Sequence, residues 1–214
     1  MSTLAQTLAP PRSRTAARLG FEGVCALAGS LLIGGLAQLS IHLPFTPVPI
    51  TGQTLGVLLV GAAYGPGLGA TTVLVYLAMA VAGLPVLAPD ENGAHAGGSE
   101  VLRTLSVTGG YLWGFALGAG LVGWLSRRGW DRTFGSAIGA MLLGSVVIYA
   151  VGVPWLMAAA DLPLAKGLEF GMYPFVIGDL LKLLAAAGLL PLVWAAMSRF
   201  RPRDDIGPGG DGEV

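Results

Sequence analysis

Charge is scarce in this chain of 214 residues, because only 11% of them are Asp, Glu, Lys or Arg, whereas soluble domains carry about 25%. Hydrophobic residues make up 54% of the chain, and the mean hydropathy is +0.72. The formal net charge is zero, so nothing indicates a nucleic-acid partner. A single cysteine, Cys25, excludes an internal disulfide framework. This composition predicts an all-α integral membrane protein that is embedded in a lipid bilayer.

Signatures of common catalytic and nucleotide-binding sites are also missing. No Gly-Lys dipeptide occurs, so the chain lacks the phosphate-cradling GxxxxGK[ST] loop and is not itself a P-loop ATPase. The sequence contains no GxSxG or HExxH motif and no acidic metal cluster, and His42 and His95 do not have the spacing of metal ligands. We therefore expect neither an enzyme nor a bound metal or cofactor.

Six apolar segments are separated by proline, glycine or clusters of charge. They cover residues 21–41, 52–64, 66–84, 105–125, 134–156 and 173–197. Five of them have the length of roughly 17 to 25 residues that a membrane-crossing helix needs. The second segment is shorter, and its length alone is also compatible with a re-entrant piece.

The positions of the basic residues favour a crossing by all six segments. Nine of the twelve Lys and Arg lie before the first segment, between the fourth and the fifth, or after the sixth. Six crossings place these three clusters together in the cytoplasm, as the positive-inside rule requires. We therefore predict six transmembrane helices in a bacterial or archaeal cell membrane, with both termini cytoplasmic. Residues 1–18 are predicted to form a cytoplasmic arm, 19–198 the membrane domain and 199–214 a disordered tail.

Two full charges, Asp179 and Lys182, interrupt the last apolar segment in the stretch GDLLK. Because they are three residues apart, they lie on one face of a helix and can touch. Counted from Tyr173, they are expected about 9 Å and about 13 Å below the outer end of that helix. Ionisable residues inside a bilayer face a bundle interior, a partner or a wet cavity. The pair is therefore a candidate binding site, and the alternative is a neutralised pair that only joins helices.

Further candidates lie in the segments predicted to face outward. Gln53 follows the proline-rich stretch HLPFTPVPITG, and the alternative for it is an interhelical hydrogen bond. In TGGY, Gly109 and Gly110 allow the backbone to approach a ligand closely, and Tyr111 is expected to form a wall of the site. Arg103 is the only cation of the long third loop and offers a two-pronged grip on a carboxylate, unless it is simply solvated.

The first apolar segment carries small residues at four-residue intervals, at Ala26, Ser30 and Gly34. Such a ridge allows another helix to approach closely. It is either a docking surface for a partner protein or a packing face within the same bundle.

Four stretches in this order resemble one family of vitamin transporters. They are LPFTPVPITGQTLGVLLVGAAYGPGLGA, TGGYLWGF, VGVPWL and PFVIGDLLK. Together they are similar to the BioY family, the biotin-specific substrate-binding S components of energy-coupling-factor (ECF) transporters. The likeness covers nearly the whole membrane portion, from about residue 21 to about residue 196.

The resemblance implies a six-helix S-component fold that binds biotin on the outer side of the membrane. It also implies assembly with a transmembrane coupling subunit and two cytoplasmic ATPase subunits, although some members are thought to work without them. The family motifs carry binding roles over to Gln53, Tyr111, Asp179 and Lys182, and less securely to Arg103 and Asn92. The AxxxA docking motif of the wider family is matched only as Ala26 to Ser30. The alternatives are an S component for another small vitamin and a stand-alone proton-coupled carrier that uses Asp179.

Overall fold

A computed structural model describes residues 2–10, 15–95, 97–103 and 106–200, without the side chains of residues 103 and 197–200. Its elements are the helices α1 Leu4–Leu8, α2 Thr15–Ala37, α3 Gln53–Tyr64, α4 Pro66–Val81, α5 Gly98–Arg103, α6 Gly109–Arg127, α7 Phe134–Ala160, α8 Leu164–Gly171 and α9 Tyr173–Phe200, and the strands β1 Ser40–Ile41 and β2 Ile50–Thr51. Each of the six predicted apolar segments overlaps one of the helices α2, α3, α4, α6, α7 and α9. The prediction of a helical protein is therefore confirmed.

The helices form one bundle with α6 near its middle. α6 packs against α7, α3 and α4, while α2 packs against α4 and α3, and α9 against α7 and α3. The ends of the bundle differ in character. One carries the antiparallel hairpin of β1 and β2, in which Ser40 pairs with Thr51, and we call it the hairpin end. The other carries Arg127, Arg128 and Arg132, and we call it the basic end.

Three helices among the described residues, α2, α7 and α9, have the length and apolar composition needed to cross a membrane. α3 and α4 are apolar but shorter. The predicted number of six crossings therefore stays a prediction, as does the orientation of the chain.

A single glycine separates α3 from α4. Gly65 has a φ of 85°, and its N–H donates to the carbonyl oxygen of Gly61 at the end of α3. Pro66 begins α4 directly after it. That backbone conformation favours glycine, and proline is suited to the first turn of a helix because it has no N–H to leave unsatisfied. A Cβ atom on Gly123 of α6 would lie 2.3 Å from the carbonyl carbon of Gly65. The turn between the two helices is therefore packed directly against the backbone of α6.

The N-terminal region contains α1 and the start of α2, and its predicted position in the cytoplasm stays a prediction. α2 begins at Thr15, and α1 lies against the bundle with Leu4 and Ala5 buried. The backbone N–H of Thr3 donates to Oε1 of Gln6 over 3.2 Å, which satisfies one of the free donors at the start of α1. Burial of Leu4 in the common core holds this short helix in place. The predicted tail, residues 199–214, lies almost wholly outside the described residues.

Candidate ligand-binding site

A cavity of about 480 Å³ opens at the hairpin end between α3, α6, α7 and α9, and the connection from α4 to α6 covers part of it. Its apolar wall includes Val48, Leu87, Leu112, Phe115, Ile148 and Phe175. Its polar side chains include Thr51, Gln53, Thr54, Tyr111, Tyr149, Asp179 and Lys182. An apolar cavity of this size with a few convergent polar groups is typical of a small-molecule site.

The centre of the polar wall is the predicted pair on α9. Nζ of Lys182 lies 3.1 Å from Oδ1 of Asp179, as the three-residue spacing predicted. The ammonium group also donates to Oγ1 of Thr54 over 3.1 Å. Thr54 in turn donates to Oδ1 of Asp179 over 3.4 Å, and the hydroxyl of Tyr149 donates to Oδ2. Residues from α3, α7 and α9 therefore hold one carboxylate in a fixed orientation.

Burial explains why these groups need so many partners. Asp179 is only 7% exposed, and an isolated charge in such surroundings carries a large desolvation cost. The opposite charge of Lys182 and the hydroxyl donors offset that cost. Because the pair also lies on the cavity wall, a ligand with N–H donors and a carbonyl acceptor can exchange hydrogen bonds with it.

Two other predicted residues, Gln53 and Tyr111, line the same cavity. Hydrogen bonds within the protein hold both side chains in position. Nε2 of Gln53 donates to the hydroxyl of Tyr76 over 2.6 Å, and its Oε1 accepts a hydrogen bond from Thr51 over 2.8 Å. The hydroxyl of Tyr111 donates to the carbonyl oxygen of Gly171 over 2.8 Å. Its ring meets that of Tyr149 edge to face, with centroids 6.4 Å apart. Gln53 thus makes an interhelical hydrogen bond, which the sequence analysis gave as the alternative to ligand binding, and it also lies at the cavity wall.

Gly109 and Gly110 lie at close contacts between helices. A Cβ atom on Gly110 would lie 2.2 Å from Cβ of Trp155, and one on Gly109 would lie 2.6 Å from the carbonyl oxygen of Val101. Neither glycine lines the cavity. Their small size serves the close packing of α6 against α7 and α5, and the close approach of their backbone to a ligand stays a prediction.

The remaining two predicted binding residues lie in the connection from α4 to α6. Asn92 is exposed, its N–H donates to Oδ1 of Asp90 over 2.8 Å, and it does not line the cavity. The backbone of Arg103 ends α5, whose Val101 lines the cavity, but its side chain lies outside the described residues. Its proposed grip on a carboxylate stays a prediction.

Thr54 and Tyr149 were missed by the sequence reasoning. Thr54 belongs to the TGQT stretch that was singled out for Gln53 alone. Tyr149 lies in the middle of the apolar segment that forms α7, away from the membrane boundaries that tyrosines prefer. That unusual depth is the signal that could have identified it as a partner for a buried charge.

The ridge of small residues on α2 faces the interior of the bundle. Ala26, Ser30 and Gly34 are all buried, and Oγ of Ser30 donates to the carbonyl oxygens of Ala26 and of Thr72 on α4 over 2.7 and 2.8 Å. A Cβ atom on Gly34 would lie 3.2 Å from Cβ of Val86. In this conformation the ridge packs within the chain, which was the stated alternative, and its role as a docking surface for a partner protein stays a prediction.

Among the described residues, no group of three or more His, Cys, Asp or Glu side chains could hold a metal ion. The cavity wall offers a ligand hydrogen bonds, charge and apolar contact.

Known proteins resemble this chain over most of its length. The model of the BioY family matches residues 12–199. The biotin transporter BioY of Rhizobium etli is 37% identical over 154 residues, which are 69% of this chain and 78% of that protein. The biotin transporter BioY of Rhodobacter capsulatus is 34% identical over 188 residues, which are 80% of this chain and 93% of that protein.

A solved structure shows the same fold. The crystal structure of the S component for biotin from an ECF-type ABC transporter superposes with a TM-score of 0.69 and 26% sequence identity. The match covers 87% of this chain and 95% of that one. Sequence and fold agree, and this chain belongs to the BioY family.

Proposed function

We propose that this protein is the substrate-binding S component of a vitamin uptake transporter and that its ligand is biotin. The observation that supports this most is the Asp179 and Lys182 pair on the wall of an otherwise largely apolar cavity. The names of the relatives and the fold of the solved S component support the same ligand.

The chemistry of biotin fits this wall. Its ureido ring has two N–H donors and a carbonyl acceptor, its second ring is an apolar thioether, and its valerate chain ends in a carboxylate. Asp179 accepts hydrogen bonds from the ureido N–H groups, and Lys182 donates to the ureido carbonyl. The rings of Tyr111, Phe115 and Phe175 surround the apolar thioether ring.

The valerate carboxylate points toward the cavity mouth in this proposal. Arg103 ends α5 two residues after Val101, which lines the cavity, and a guanidinium group binds a carboxylate through two parallel hydrogen bonds. By the positive-inside rule the arginines of the basic end lie in the cytoplasm, so the cavity opens to the outside. In this proposal uptake is driven by a transmembrane coupling subunit and two cytoplasmic ATPase subunits, and the solved S component of an ECF-type ABC transporter, which has the same fold, supports it.

The ligand can be identified directly. The full-length protein is purified in detergent from cells grown with biotin, thiamine and riboflavin, and the small molecules that it releases on denaturation are identified by mass. We expect biotin, and we expect unlabelled biotin, but neither other vitamin, to displace labelled biotin. If another vitamin is released, biotin is not the ligand, but the protein can still be the S component of a vitamin transporter.

The orientation of biotin has its own test. Arg103→Gln should weaken the binding of biotin by about tenfold, because a charge-assisted hydrogen bond to the carboxylate is lost. The same variant should bind the uncharged biotin amide as the wild type does. Lys166→Gln is the control, since Lys166 lies on α8 and pairs with Glu169 over 2.8 Å. Equal losses for biotin and its amide would contradict this orientation.

A stand-alone proton-coupled carrier is a second candidate, because Asp179 is a buried carboxylate inside a helix bundle. Uptake of labelled biotin in cells separates the two mechanisms. Loss of uptake on ATP depletion with the proton gradient maintained supports the ATP-driven transporter. Uptake that survives ATP depletion and stops when the proton gradient collapses supports the carrier.

A further inference from the structure

A second cavity, of about 680 Å³, lies at the basic end of the bundle between α2 and α4. α1 forms part of its wall through Ala5, Gln6 and Ala9, and Tyr64 and Arg127 contribute from α3 and α6. It shares no lining residue with the cavity at the hairpin end. The proposed vitamin site therefore does not account for it.

Positive charge lies at the entrance of this cavity. Arg18 and Arg127 both line it, together with Glu22. Nε of Arg18 is paired with Oε1 of Glu22 over 2.9 Å. No ion pair among the described residues involves Arg127, which is exposed. The three groups together leave one positive charge without a counterion, so the entrance attracts an anion.

Below the arginines the cavity becomes apolar. Gly23 and Leu27 line it on α2, and Leu68 and Val75 line it on α4. From Arg18 to Leu27 the helix rises about 13 Å, so the apolar walls extend well into the hydrocarbon region of a bilayer. Leu27 is 54% exposed. Apart from the neighbouring turns of α2 itself, no atom of the described residues lies within 4 Å of a Cβ atom placed on Gly23. A flexible hydrocarbon chain can fill this space.

We propose that this cavity binds one anionic phospholipid from the leaflet that meets the basic end. The phosphate lies against the guanidinium group of Arg127, which matches a phosphate with two parallel hydrogen bonds, and Gln6 donates from α1. An acyl chain follows the groove between α2 and α4. Basic pockets between transmembrane helices on the cytoplasmic side are known to select such headgroups. Because α1 closes one end of the groove, a headgroup with a flexible chain fits better than a straight partner helix.

The headgroup is tested with the full-length protein in detergent, by native mass spectrometry after addition of phosphatidylglycerol or phosphatidylcholine with the same acyl chains. We expect phosphatidylglycerol to be retained in preference to phosphatidylcholine. Arg127→Gln should lower its occupancy by about tenfold, because a charge-assisted contact is lost. Arg128→Gln is the matched control, since Arg128 is the adjacent residue but stacks on the ring of Trp124 at 3.4 Å and does not line the cavity. Equal occupancy in the two variants overturns the proposal.

The acyl-chain groove is tested by filling it. Gly23→Leu places a side chain in the open space of the cavity and should abolish retention of the lipid. Gly20→Leu is the control, because Gly20 is also on α2 with open space around it but does not line the cavity. Biotin binding should be unchanged in all four variants, so this test is independent of the proposed function. Loss of lipid with Gly23→Leu but not with Arg127→Gln would overturn the anionic headgroup and point to a neutral lipid or a partner helix.

Discussion

Two buried aspartates near opposite ends of the bundle have similar bonded partners, a cation and an aromatic donor, but only one of them lines a cavity described above. Asp179 has a cation three residues away and accepts a hydrogen bond from an aromatic side chain, Tyr149. Asp131, in the turn between α6 and α7, lies next to Arg132 and accepts a hydrogen bond from Nε1 of Trp194 over 2.6 Å. Asp179 lines a cavity, whereas Asp131 lines neither of the two cavities described above.

The residues bonded to Asp131 connect separate parts of the chain. The guanidinium group of Arg132 lies 3.3 Å from the ring centroid of Trp194, and it donates to the carbonyl oxygen of Ser2 over 2.9 Å. This cluster therefore ties the basic end of α9 and the N-terminal segment to the turn between α6 and α7. A buried carboxylate with a cation beside it is thus a structural contact at one end and a candidate binding group at the other. Access to a cavity makes the difference.

Asp179→Asn should have the largest effect on ligand binding. The change removes the negative charge, replaces one of the two acceptor oxygens by an NH2 donor and leaves the charge of Lys182 uncompensated, so biotin should bind about 100-fold more weakly. Titration calorimetry with the purified variant measures this loss. Asp131→Asn is the matched control and should change the dissociation constant by less than about threefold, because Asp131 lines neither of the two cavities described above. Gel filtration of both variants shows whether they are folded, and equal losses in folded protein would remove the distinction between the two aspartates.

Tyr149→Phe should have a smaller effect on the same site. It removes the hydroxyl that orients Asp179 but keeps the ring, and one hydrogen bond is worth about 0.5–1.5 kcal/mol, or a loss of up to about tenfold in affinity. Tyr173→Phe is the control, since Tyr173 is exposed and does not line the cavity. If Tyr149→Phe binds biotin like the wild type, the tyrosine does not position the carboxylate.

Asp131→Asn should lower the stability of the protein rather than its affinity. The asparagine still accepts from Trp194, but its NH2 group then stands in place of the carboxyl oxygen that lies 3.5 Å from Nε of Arg132, at a cost of about 1 kcal/mol. For a chain of this size that corresponds to a decrease of about 2–4 °C in the unfolding midpoint in detergent. A midpoint equal to that of the wild type would show that the cluster does not stabilise the basic end.

The smallest expected effect is the pH dependence of that stability difference. Burial raises the pKa of Asp131, although Trp194 and Arg132 oppose the increase. The folded protein therefore binds the proton of the Asp131 carboxyl more tightly than the unfolded chain does, in which an Asp titrates near pH 3.9. Because the folded pKa is the higher of the two, the protein loses stability as the pH rises through it. The advantage of the wild type over Asp131→Asn should shrink as the pH rises from about 4 to neutral. A growing advantage would show that the pairing with Arg132 outweighs burial.

The sequence was sufficient for those features that depend on local spacing. The contact between Asp179 and Lys182 follows from the helical period alone, and the existence of six apolar helices follows from apolar runs separated by glycine, proline and charge, although the predicted ends of α2 and α6 differ by several residues. Thr54 and Tyr149 reach Asp179 from positions 125 and 30 residues away, and only the packing of three helices brings them together. For Ser30, the spacing of small residues predicted a close helix but did not reveal that the helix is α4 of the same chain.

The single-residue break at Gly65 has a consequence for the depth of the vitamin cavity. It limits α3 to 12 residues, or about 18 Å, which is well short of the hydrocarbon thickness of about 30 Å. Since α3 ends at the basic end, the predicted crossing places its first turn, with Gln53 and Thr54, below the opposite membrane surface. The cavity lies above that turn because α3 is too short to occupy the space. Inserting whole turns at the start of α3 would therefore fill the cavity without replacing any residue that lines it.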